Sequence, residues 1–307
     1  MQPVLPVWLC RRSQVGTRFD LSDSGGHNAF VLAFLFVDGL GLSHDPRSAP
    51  RRLNLPTLKA LSGGFSQEPF SRPNLAYRVL DARLGVEGLP QSGTGQTALL
   101  TGLNAAQMLG YHQGPHPLSK LQTLLRQDSL QVWATQRGLR VLHANAYRPE
   151  YLERVQSSRR NLLSAFGFAA RAARLELLPM HHPQALLPAF WPEPEAAGAR
   201  FAQIAQQHDL TFLEHWALDY SAHRLPEKLD ERWLELDRFL EGFLNANPTA
   251  TLVLTADHGN AEEPWHTQHT LNPVPLIVYG ALAGKVPAMH SLTDLAPWIK
   301  QQFLGSI

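Results

Sequence analysis

The sequence predicts an α/β fold: a mostly parallel sheet with helices on both faces, plus a small helical cap insertion. Three observations carry this expectation. Short apolar runs end in charged or glycine-bearing turns, helical patterns separate those runs, and one stretch rich in proline and arginine interrupts the alternation. Strands alternating with helices imply a largely parallel sheet covered on both sides.

The first strand is expected over Phe30–Val37, at the end of a nine-residue apolar run that opens at Ala29. An apolar run of this length, closed by a turn, fits a strand buried on both faces. It exits at Asp38-Gly39-Leu40-Gly41, and open α/β sheets place ligands at the carboxyl ends of such strands. Four more strands follow, at 139–144, 210–216, 251–256 and 274–279. Residues 227–246 space Leu229, Trp233, Leu236, Phe239, Leu240 and Phe243 as a helix, and 292–303 reads as a terminal helix. The stretch 106–200 differs. Its segment 137–174 holds eight arginines against Glu150 and Glu153, in a chain whose net charge is +1. It reads either as a solvated helical face or as an insertion that helps hold an anionic substrate. The expected organisation is a mobile N-terminal extension over 1–28, a core formed by 29–105 and 201–307, and a cap insertion mixed with core elements over 106–200.

The bulk numbers bound the function. With 307 residues, 44% hydrophobic and 17% charged, the chain can bury a sizeable core. Near-neutral charge supplies no global field for nucleic acid or for an anionic membrane, and the longest apolar run is too short to span a bilayer. Cys10 is the single cysteine, so no internal disulfide forms. In the opening segment the charges follow the apolar patch instead of preceding it, which is the wrong order for a secretory signal; the expected location is cytoplasmic.

Three clusters share one context, a buried strand followed by carboxylates and imidazoles. They are Asp38, the pair Asp219 and His223, and Asp257-His258 with His266 and His269 beyond. Any one of them alone would be ordinary cap or turn chemistry. Together they form a mixed oxygen and nitrogen donor set that suits Zn²⁺ or Mn²⁺. Asp219 and His223 lie four apart, so both can face one ion. A fourth segment, Leu89-Pro90-Gln91-Ser92-Gly93-Thr94-Gly95-Gln96-Thr97, is a glycine-rich turn with several hydroxyls leading into a helix, where an anion can sit. His112 and His116 follow it as candidate pocket residues, and Arg224 next to His223 is a candidate phosphate contact. His266 is a weaker candidate for a supporting or substrate role.

The run Thr-Ala-Asp-His-Gly-Asn-Ala-Glu (255–262), with His-Thr-Gln-His-Thr-Leu-Asn-Pro-Val-Pro (266–275), resembles the closing signature of cofactor-independent phosphoglycerate mutases. Those are two-metal enzymes of the alkaline phosphatase superfamily. Val-Asp-Gly-Leu-Gly-Leu (37–42) is similar to the superfamily's opening strand, Leu-Pro-Thr-Leu-Lys-Ala-Leu (55–61) to the helix after it, and Asp219 to His223 to its Asp-x-x-x-His pair. The resemblance implies an alkaline phosphatase-like core and two divalent ions, Mn or Zn. Asp219, His223 and His269 would bind one ion, and Asp38, Asp257 and His258 the other. It also places Thr97 as nucleophile and metal bridge, by its distance from Leu89-Pro90. Metal coordination would activate that hydroxyl, and two ions about 3.5–4 Å apart would clamp an in-line displacement. Only 122 positions separate Thr97 from Asp219, which leaves no room for the mutases' full phosphate-transfer domain. The expected activity is therefore hydrolysis of a small phosphate ester through a phospho-enzyme. A phosphoglycerate mutase-like or phosphopentomutase-like transfer and a non-catalytic metal-binding module are the alternatives.

Overall fold

The computed structural model describes residues 30–304. The expected extension 1–28 and Cys10 lie outside the described residues. A seven-stranded mixed sheet runs in the order β2-β3-β7-β6-β1-β5-β4. The strands are β1 Leu32–Val37, β2 Phe70–Arg72, β3 Leu75–Leu80, β4 Val141–His143, β5 Leu210–His215, β6 Thr251–Thr255 and β7 Val274–Tyr279. Twelve α-helices surround it among the described residues, and seven position the site: α3 Ser92–Thr101, α5 Ser119–Asp128, α7 Pro149–Ser157, α8 Ala165–Ala172, α9 Pro194–Ala205, α10 Ala217–Arg224 and α11 Leu229–Asn245. No helix among them is long and apolar enough to cross a membrane.

β1 is central because every one of its side chains is apolar, so it tolerates burial on both faces. It pairs in parallel with β5 and β6. Phe34 and Phe36, two apart and so on one face, meet Phe166 of α8 at ring separations of 5.7 and 4.5 Å. On the other face Trp191 stacks between His215 of β5 and Phe239 of α11, at 4.3 and 4.1 Å. Helices therefore cover both sides, as expected.

The expectation of a mostly parallel sheet holds for β6-β1-β5-β4 only. β7 runs antiparallel to β6, and β3 antiparallel to β7 and β2. The link from β6 to β7 explains the reversal. A parallel return needs a crossover, usually a helix, whereas residues 256–273 hold no helix and carry site residues instead. β2 and β3 were not foreseen. β3 interrupts its apolar pattern with Arg78, whose guanidinium is tied down by the carbonyls of Phe70, Tyr77, Val286 and Pro287. Within 106–200, β4 joins the main sheet beside β5, while α5 and α8 pack on α3.

α9 and α11 cross at backbone contact. A Cβ on Gly198 would stand 1.9 Å from the Phe239 carbonyl oxygen, and one on Gly242 would stand 1.9 Å from that of Glu195. These are backbone atoms and cannot swing aside. Alanine normally gains about 1 kcal/mol over glycine inside a helix. Here overpacking of about 1–3 kcal/mol or more should exceed that gain. Gly198→Ala is therefore expected to lower the urea midpoint, and an unchanged or raised midpoint would contradict the crossing.

Candidate active site

β5, β1 and β6 are adjacent and parallel, so their carboxyl ends open at one edge of the sheet, where such folds hold ligands. Asp38 follows β1, with its backbone N–H donating to the His215 carbonyl at the end of β5. β5 leads into α10, which presents Asp219 and His223 one turn apart. β6 releases Asp257 and His258. His269 arrives on the returning loop, which a bridge between Gly259 and Thr270 closes.

Two donor clusters result. His223 Nε2 lies 3.4 Å from Asp219 Oδ1 and 3.1 Å from His269 Nε2, and His269 Nε2 lies 3.6 Å from the same Asp219 oxygen. His258 Nε2 lies 3.4 Å from Asp38 Oδ1 and 3.6 Å from Asp257 Oδ2. The imidazoles of His258 and His269 stack at 3.7 Å, joining the clusters. The donor atoms of Asp38, Asp257 and His258 all fall within 4.8 Å of one another, as do those of Asp219, His258 and His269. His258 belongs to both of these triplets, and His223 joins the Asp219 triplet through its contacts with Asp219 and His269.

The electrostatics suit cations. Burial raises the Asp38 carboxyl well above its ordinary range, and the charges of Asp257, Asp219 and Glu214 push it further. Burial, and then the charge of Asp219, lift Asp257 to about 7. Oδ1 of both Asp38 and Asp257 is buried without a hydrogen-bond partner. Burial opposes ionisation of Asp219 too, but the hydrogen bond from His223 and the charges of His258 and His269 outweigh it and hold that carboxyl low. Burial, reinforced by His258, lowers His269 to about 4, and burial lowers His258. The hydrogen bond to Asp219 raises His223 instead. Neutral imidazoles at His258 and His269, beside carboxylates with an unpartnered oxygen at Asp38 and Asp257, are the form a divalent cation requires. The donor set suits a divalent cation.

Thr97, the hydroxyl expected at the clusters, lies away from them. Thr97 sits one and a half turns inside α3, fully buried, and its Oγ1 donates to the Gly93 carbonyl at 2.6 Å. A hydroxyl bonded back onto its own helix cannot face the clusters. Ser92, the first residue of α3, does face them: its Oγ lies 3.1 Å from His258 Nε2. Gly95 allows this approach, since a Cβ there would stand 2.8 Å from the Asp257 carbonyl oxygen. Two partners were also missed. Asn260 Nδ2 donates to Asp219 Oδ1 at 2.9 Å, and Gln96 Nε2 to Asp257 Oδ2 at 3.2 Å. Asn260 was visible inside the Asp-His-Gly-Asn run, but Gln96 carried no signal of its own. The buried Glu262 accepts from the Asn260 N–H, Thr270 Oγ1 and Asn272 Nδ2, which ties the two halves of the loop together.

Two cavities open from Ser92. One of about 540 Å³ also touches Asp38, Asp219 and Glu214. The other, about 770 Å³, touches Asp219, His223, His269 and the exposed Arg224. His116 borders both. His112 lines a third cavity next to His116 and neither of the two that open from Ser92. His266 turns to Glu263, at 3.1 Å.

The model of the Metalloenzyme superfamily matches residues 195–306, which hold five of the six clustered donors. A 2,3-bisphosphoglycerate-independent phosphoglycerate mutase of Roseobacter denitrificans is 47% identical over 115 residues, covering 34% of this chain and 23% of that protein. The mutase of Dinoroseobacter shibae is 49% identical over 55 residues, covering 16% and 11%. The chain thus spans less than a quarter of the length of these curated relatives. Among solved structures, the PH0037 protein of Pyrococcus horikoshii aligns with a TM-score of 0.56 at 12% identity, covering 90% of this chain and 98% of that one. A cold-active alkaline phosphatase of Shewanella sp. aligns at 0.51 and 11% identity, covering 89% and 100%. The fold is shared with these solved structures, and the family match falls on the region that carries most of the clustered donors.

Proposed function

We propose that this chain is a metal-dependent phosphoryl-transfer enzyme that hydrolyses a small phosphate ester, with Ser92 as nucleophile. The observation that carries the reading is the position of Ser92 Oγ, 3.1 Å from His258 Nε2, where the two donor clusters meet and both cavities open. Asp219, His223 and His269 would hold one Mn or Zn ion and Asp38, Asp257 and His258 the other, supplying positive charge that acidifies a hydroxyl and neutralises phosphoryl oxygens.

The chain's own groups do the rest. Ser92 Oγ attacks phosphorus, the bond to the ester oxygen breaks, and the alkoxide leaves with that electron pair and takes a proton from solvent to become the alcohol. The serine proton passes to solvent through the open cavity. The N-terminus of α3 favours the negative charge gathering at Ser92. Water then attacks the phosphoserine, releases inorganic phosphate and restores the hydroxyl. Asn260 and Gln96 orient the carboxylates they touch. Hydrolysis is favoured over a mutase cycle because residues 102–216 supply two strands, β4 and β5, and packed helices to the main body, not a second domain that would receive the phosphoryl group.

The test is a phosphate-release assay on the Mn- or Zn-loaded protein across aryl and alkyl phosphates, with phosphoglycerate included. Free phosphate supports the reading; isomerisation without release would transfer it to the mutase. Asn260→Ala should weaken metal binding about 10- to 100-fold in a competition titration. An unchanged affinity would remove Asn260 from that role.

A further inference from the structure

Of the eight arginines between 137 and 174, only Arg140 reaches a carboxylate, that of Asp209. Elsewhere Arg47, Arg52, Arg83, Arg232 and Arg238 are all paired with acids. Arg148 is the unpaired member that lines the cavity shared with Ser92 and Asp38. It stands immediately before α7, and no acid or hydrogen-bond acceptor engages its guanidinium. Arg148 is exposed on the cavity wall, and its five N–H donors in a fixed fork are free there for a carboxylate or phosphate. The rest of the wall is largely aromatic and apolar, including Tyr151, Leu162, Phe190 and Trp216. Its volume of about 540 Å³ falls within the usual 300–1,000 Å³ range of small-molecule sites. Apolar walls of that extent match an alcohol with a planar or aliphatic body.

Resting on the phosphatase reading above, we infer that the leaving group is such a body and carries a second anionic group, which Arg148 binds. Arg148 is then a specificity residue: the phosphoryl group sits at Ser92 and the second anion at the start of α7. Arg159 and Arg160, also unpaired, line the neighbouring cavity past His116 and add to the attraction.

The probes are two naphthyl phosphates of equal shape, one bearing a carboxylate and one a carboxamide. Their affinities are measured by calorimetry on metal-loaded Ser92→Ala protein, and their turnover on the unaltered enzyme. The carboxylate should bind at least about tenfold more tightly, a preference that shrinks at high salt. Arg148→Gln should bring the ratio close to one, Arg148→Lys should restore part of it, and Arg171→Gln, on the same segment but outside the cavity, should keep it. Equal binding of the two probes, or a preference that survives Arg148→Gln, overturns the inference. Charge-dependent binding without turnover would sustain Arg148 and sink the hydrolase; turnover without charge preference would do the reverse.

Discussion

Ser92→Ala is expected to remove phosphate release by on the order of a thousandfold or more, the scale seen when a covalent nucleophile is deleted. Thr97→Val should leave the rate within about fivefold and cost about 1 kcal/mol of stability, since it removes one hydrogen bond inside a helix while keeping its shape. The contrast separates two hydroxyls of one helix. Ser92 opens α3 and faces His258, whereas Thr97 is sealed within it. Acid quenching during turnover, followed by mass spectrometry, should find phosphate on the peptide at Ser92. Phosphate on Thr97, or full activity in Ser92→Ala, would end the assignment.

Removal of divalent cations is expected to have the second large effect, on activity and stability together. Asp38 and Asp257 are carboxylates held side by side, and Oδ1 of each has no donor. Uncompensated buried charge is costly. A bound ion stabilises the fold by about 2.7 kcal/mol when free metal exceeds its dissociation constant a hundredfold. Two such ions should raise the melting temperature by roughly 10 °C or more, at about 2–4 °C per kcal/mol. Chelation should therefore abolish phosphate release and lower the melting temperature, with Mn or Zn restoring both. A melting temperature indifferent to chelator and metal would refute the paired site.

Much of this site was legible in one dimension. A strand buried on both faces must be apolar throughout, so a carboxylate at its exit stands out, as Asp38 does after β1. Asp219 and His223 were legible because helical geometry turns a spacing of four into a shared face. Asp257 and His258 were marked by the strand before them. The hydroxyl was not legible in the same way. Residues 92–97 contain three hydroxyl side chains, and which one faces the clusters depends on where α3 begins. A start at Ser92 moves Thr97 about 7.5 Å along the axis, at 1.5 Å per residue. Gln96 and Glu262 were silent for a related reason: a buried polar side chain declares its role only through partners distant in the chain, such as Asp257 for Gln96.

Local chemistry along the chain thus determined the class of fold and marked the strand exits that carry Asp38, Asp219 and Asp257, because burial and periodicity leave their mark on neighbouring residues; the choice of His269 over His266 rested on the resemblance to a known closing signature. Tertiary structure alone decided the antiparallel half of the sheet, which hydroxyl of α3 lies beside His258, and the place of Arg148 on the cavity wall. Each of those depends on the direction in which a chain returns or a helix starts, and close packing against remote segments sets that direction.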